Sequence, residues 1–105
     1  MLVRIVKLTL KEESLEIFFE EFNKNKMKIV NFPGCQGMRL LQDVTQKNII
    51  MTYSHWNHEQ ALNSYRESDV FSTLWSNIKP HFTQRPEAWS HEINFDGFKN
   101  ENKIE

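Results

Sequence analysis

At 105 residues and a formal net charge of −1, the chain has room for one domain and no excess of basic residues to grip nucleic acid or an anionic membrane. No apolar run approaches the roughly 20 residues needed to span a bilayer. The single cysteine, Cys35, excludes an internal disulfide, and the N-terminal Met1-Leu-Val-Arg-Ile-Val carries no cleavable-signal pattern, so the chain reads as a cytoplasmic protein with a reduced thiol.

Residues 2–10 are rich in Leu and β-branched residues and predict a first strand. Leu2, Arg4, Val6, Leu8 and Leu10 face one way, and Val3, Ile5, Lys7 and Thr9 the other; both faces need cover. Thr9 to Glu12 fits a capping box, and Leu15, Phe18, Phe19, Phe22, Ile29 and Val30 follow the helical period, predicting one helix over about 12–31. Phe32-Pro-Gly34 stops it, because Pro33 disfavours a helical Phe32 and Gly34 permits positive φ. A second strand is predicted over about 36–43, a polar hairpin connection over 44–48, and a third strand over about 48–56 ending Tyr53-Ser-His55-Trp56.

Asn57 is the expected N-cap of a short helix carrying Ala61, Leu62 and Tyr65. Ser68 or Asp69 caps a second helical piece with Val70, Phe71, Leu74, Trp75 and Ile78 as its stripe, and Pro80 ends or kinks it. A fourth strand is predicted over about 87–95, where Trp89, His91, Ile93 and Phe95 alternate with Ala88, Ser90, Glu92 and Asn94. The domain thus occupies residues 1–95, and residues 96–105 form a polar C-terminal tail. The order β-α-β-β-α-β, with the second helix broken, is α+β and ferredoxin-like, with an antiparallel four-stranded sheet. Helices cover one sheet face. A short chain buries a modest fraction of its surface, so packing the bare face against a second copy is the expected solution: a homodimer with facing sheets.

The chain resembles the antibiotic biosynthesis monooxygenase superfamily of dimeric α/β barrels. The residues that carry the resemblance are Phe32-Pro-Gly-Cys-Gln-Gly37, Tyr53-Ser-His-Trp56 and Ser68-Asp-Val-Phe71, in that order and spacing. It implies a homodimer with a small-molecule pocket between sheet and helices in each subunit. Members include cofactor-independent oxygenases of phenols and quinols, heme-degrading enzymes and proteins of unknown activity. The heme-degrading branch places an Asn on strand one, a Trp on the first helical piece and a ligating His on the second. The matching positions hold Val6, Tyr65 and Trp75, and an indole does not ligate iron as an imidazole does, which argues against heme degradation.

The oxygenase branch needs an oxidisable aromatic substrate, a dry aromatic chamber, a base and a hydrogen-bond donor, with no cofactor and no metal. Tyr65, His91 and His55 are the candidate catalytic residues, since imidazole titrates near neutral pH and Tyr65 stands on the broken helix. Val6, Trp56, Phe71 and Trp75 are the candidate substrate-binding walls. The same aromatic residues also read as ordinary core, because an amphipathic helix needs such a stripe anyway, and each histidine also reads as a packed or dimer-face residue. The expected function is therefore cofactor-independent monooxygenation of a small aromatic or quinol-like molecule. Its alternative is a non-catalytic binding or structural homodimer, and an isomerase or decarboxylase would need a charged base in the chamber.

Overall fold

In the computed structural model, which describes residues 1–99, the chain runs β1 (Leu2–Thr9), α1 (Leu15–Val30), β2 (Cys35–Gln42), β3 (Ile49–Trp56), α2 (Glu59–Arg66), α3 (Asp69–Ile78) and β4 (Glu87–Glu92). The strands form one antiparallel sheet in the order β2-β3-β1-β4. This is the expected α+β, ferredoxin-like arrangement with a broken second helix. The sheet is open, and the helices pack on one face of it. Among the described residues no helix is long and apolar enough to cross a membrane.

Strand register assigns each side chain to a face. Opposite the central β1 positions, Val3 pairs with His55 and His91, Arg4 with Ser54 and Ser90, Ile5 with Tyr53 and Trp89, and Val6 with Thr52 and Ala88. Because side chains alternate along a strand, Arg4, Val6 and Leu8 lie under the helices while Val3, Ile5 and Lys7 lie on the other face. Phe18, Phe22 and Ile29 of α1, Leu62 and Tyr65 of α2, and Leu74 and Ile78 of α3 close over the covered face. Leu10, Phe18, Ile50 and Trp56 are its most deeply buried large side chains.

Several local expectations are corrected. The helix does not begin at residue 12: a 3₁₀ turn, Glu12–Ser14, precedes α1, and no side chain caps either start. Thr9 is held in extended conformation as the last residue of β1, paired with Ile49, and Leu10 bridges to Phe82, which carries the strand past the expected cap. Strand β4 stops at Glu92 rather than 95 because its last partner, Leu2, is the first residue of β1. The N-cap of α2 is His58, whose Nδ1 accepts from Ala61 N–H at 3.2 Å. Asn57 instead clasps the preceding turn: its N–H donates to Gly34 O at 2.8 Å and its Oδ1 accepts from Gln36 at 2.8 Å. Gly34 sits at φ 91°, and a Cβ there would collide with the Cβ of Ala61, so this turn admits only glycine. The break between α2 and α3 is held by Ser68, whose hydroxyl donates to Tyr65 O at 2.6 Å and accepts from Phe71 N–H at 3.2 Å. The tail expected over 96–105 lies outside the described residues from 100 onward.

Candidate functional site

Short side chains on the covered sheet face leave space beneath the broken helix. Val6, Thr52, Ser54 and Ala88 form a low floor, and Phe71, Leu74 and Trp75 of α3 form the roof. The space between them is a cavity of about 200 Å³. That exceeds the roughly 150 Å³ that admits a benzene ring and falls short of the ~300 Å³ at which drug-sized sites begin, so it suits a molecule of one or two rings. A wider groove of about 980 Å³ lies on the opposite face, but it is shallow and open to solvent. The narrower, aromatic-walled cavity beneath the helices is the candidate site.

One wall is a continuous ladder of rings. Phe32 meets Tyr65 edge-on at 5.5 Å, Tyr65 stacks on Trp56 at 5.1 Å and meets Phe71 edge-on at 5.3 Å, Phe71 stacks on Trp75 at 5.3 Å, and Trp75 meets Phe82 edge-on at 5.5 Å. Each such pair contributes about 0.5–1.5 kcal/mol beyond simple burial, so the wall is stiff. The Trp56 indole N–H donates to Ser54 Oγ at 2.9 Å, which pins the ladder to the floor.

The polar lining is sparse and one-sided. Arg4, Arg66, Thr52, Ser54 and Tyr65 reach the cavity wall, and no Asp, Glu, His or Lys does among the described residues. Burial, reinforced by Cys35, pushes the Tyr65 phenol up to about 12, so its hydroxyl remains protonated at neutral pH and acts as a donor, not a base. Burial, and then the charge of Arg66, pull the Arg4 guanidinium below its ordinary value, although it stays a cation. Arg4 Nη1 donates to Ser90 Oγ at 3.0 Å across the β1–β4 pairing.

The cavity brings together Tyr65, Val6, Trp56, Phe71 and Trp75 of the expected residues. It does not bring His55 or His91 to them. Both histidines pair with Val3 and therefore share its face, away from the helices. There His55 Nε2 lies 3.0 Å from the Tyr53 hydroxyl. The expectation that Tyr65 and His91 are joint pocket contacts is corrected by register: the sheet itself stands between them. Lys7 also faces away. His81, a candidate rim residue by its place after Pro80, is engaged with Ser14 Oγ at 2.9 Å. The residues missed from the sequence are Arg4, Arg66, Thr52 and Ser54. The signal for Arg4 was present, a lone charge in the apolar set Leu2, Val6, Leu8 and Leu10. The others become visible only once β3 and α2 are placed against β1.

A model of the antibiotic biosynthesis monooxygenase family matches residues 1–75. No curated protein matches the sequence at a significant level. Among solved structures, a Nitrosomonas europaea protein that carries the same family name superposes with a TM-score of 0.84 at 17% identity, covering 90% of this chain and 100% of its own. A conserved protein from Methanosarcina mazei Go1 gives 0.81 at 18% identity, covering 87% and 91%. Rv0793 from Mycobacterium tuberculosis gives 0.82 at 9% identity, covering 92% and 98%. At these identities the likeness establishes the fold. With the family match spanning most of the sequence and the fold agreeing throughout, the chain belongs to the antibiotic biosynthesis monooxygenase family.

Proposed function

We propose that this protein is a cofactor-independent monooxygenase acting on a phenol or quinol of one or two rings in the cavity beneath α2 and α3. The observation that supports this most is the aromatic-walled cavity of about 200 Å³ in a member of this family. In such a reaction the electrons come from the substrate: a phenol and one O₂ give a quinone and one water, and a quinol and one O₂ give a hydroxyquinone and one water. The protein's part is to hold the ring against Phe71 and Trp75, keep water out, and offer the Tyr65 hydroxyl to an oxyanion as it develops. The bare sheet face carries Ile5, Tyr53, Trp89 and half-exposed Leu41 beside the buried Val3, and pairing it with a second copy completes the homodimer in this reading.

The test is O₂ uptake by the purified protein across a panel of one- and two-ring quinols, with quinone formation followed in parallel. Uptake that tracks quinone one to one, and that falls about tenfold or more in Tyr65→Phe, is expected. Background uptake across the panel overturns the proposal. A second reading, a non-catalytic small-molecule binder, is favoured by the lack of any proton acceptor among the described lining residues. Ring binding without O₂ uptake identifies it.

A further inference from the structure

We infer that the cavity's ligand is an aromatic molecule bearing an anionic oxygen, and that Arg4 holds this oxygen with Arg66 beside it. The inference rests on the site assigned above and adds charge to its substrate class. Four observations carry it.

First, Arg4 stands half-buried on the covered face of β1, beside Val6 and Leu8, and lines the cavity together with Arg66, Thr52 and Ser54. Second, no carboxylate among the described lining residues offsets it. The groups that act on its charge are burial and a second cation, Arg66, and no carboxylate stands among them or among the lining residues. Third, the guanidinium is anchored on one side only. Ser90 Oγ takes a single N–H at 3.0 Å, and a guanidinium presents five in a planar fork that matches a carboxylate or phenolate oxygen. Fourth, no His, Lys, Asp or Glu among the described residues lines the cavity to remove a proton there, so a ligand that needs to be charged arrives charged or ionises under the field of the two arginines. A chamber with two cations, no anions and flat apolar walls is complementary to an aromatic anion.

The charge has two chemical sources, a carboxylate on the ring or an ionised ring hydroxyl, and the probes separate them. Calorimetric titration under nitrogen at about pH 7, which excludes turnover, compares 2-naphthoate with its neutral isostere 2-naphthamide; 2-naphthol is titrated from about pH 7 to 10 as its hydroxyl ionises. At least one anion is expected to bind about tenfold or more tightly than its neutral counterpart. Naphthoate preference identifies a carboxylate, and naphthol affinity that rises with ionisation identifies a phenolate. Arg4→Gln is expected to abolish the preference while neutral naphthamide stays within about twofold, and Arg66→Gln, at an exposed helix end, to weaken anion binding roughly threefold. Should Arg4→Gln fail to fold by circular dichroism, Arg66→Gln and the salt dependence of the wild type carry the test, since salt weakens binding of the anion and not of the amide. Equal affinity for charged and neutral probes, a preference that survives Arg4→Gln, or no binding of any probe overturns the inference. Anion preference without O₂ uptake defeats only the monooxygenase reading, and uptake without anion preference defeats only this one.

Discussion

At Tyr65 the surroundings act on one proton. The phenol is buried against Trp56, Phe32 and Phe71, and its ionised form has no solvent to stabilise it, so it is pushed up to about 12 from an ordinary 10. The sign of the consequence follows from proton counting. Between pH 10 and 12 the unfolded chain has released this proton and the folded one retains it, so folding weakens as pH rises through that window. Below pH 10 both states hold the proton and the contribution is flat. A shift of this size corresponds to about 2–3 kcal/mol, which Tyr65→Phe removes. Urea unfolding of both proteins from pH 9 to 11 is expected to show the wild type losing stability faster than Tyr65→Phe; parallel curves contradict the burial argument. The proposed donor role draws on the same burial, since a hydrogen bond to an anion gains strength in a low dielectric.

The turn between α1 and β2 is coupled to the helix that follows β3. Gly34 presents its backbone to the start of α2, its carbonyl accepts from Asn57, and its Cα faces Ala61. The turn and the helix therefore approach as closely as two backbones with one Cβ between them permit. Gly34→Ala adds both a steric clash and a φ that L-residues avoid, and is expected to cost about 2–3 kcal/mol. Adding Ala61→Gly relieves the clash but not the φ strain, so the double variant is expected to recover part of the loss relative to the sum of the singles. Thermal unfolding of the four proteins measures this. Strict additivity would show that the two positions do not touch. The break after α2 works differently: Ser68 satisfies both a carbonyl of the first helix and an amide of the second, so α3 changes direction and carries Phe71 and Trp75 over the floor with the joint's hydrogen bonds made.

At the scale of the whole molecule, the two sheet faces have divided labour. The covered face holds the core and the cavity. The other face carries Ile5, Met51, Tyr53 and Trp89 beside the buried Val3, its groove lined also by Ile93, Phe95 and Phe98; Trp89 is 41% exposed in the protomer, and an apolar sheet face of this kind invites a second copy. Sedimentation at micromolar concentration is expected to give a dimer, and Trp89→Glu, which places a charge on the exposed edge strand of that face, to shift it to monomer with an unchanged circular dichroism spectrum. A wild type that sediments as a monomer removes the paired-sheet reading and leaves the cavity arguments intact, because every residue in them belongs to one protomer.

The residues alone determined a good deal. Alternation in β1 and the 3.6-residue stripe of α1 are local patterns, and with Phe32-Pro-Gly34 and Ser68 as punctuation they made the order of elements, the α+β class and the family resemblance legible. They also placed Tyr65 on the first piece of the broken helix and Phe71 and Trp75 on the apolar stripe of the second. Tertiary structure decided which of the alternating sets met the helices. Periodicity states that His55 shares a face with Tyr53, and that His91 shares one with Trp89, but only the pairing of both strands with β1 states that this is the face of Val3 and not of Arg4. The same long-range register turned Arg4 from a strand residue into the charged wall of a cavity. Local interactions write the period of each element, and contacts between residues far apart in the chain choose the side.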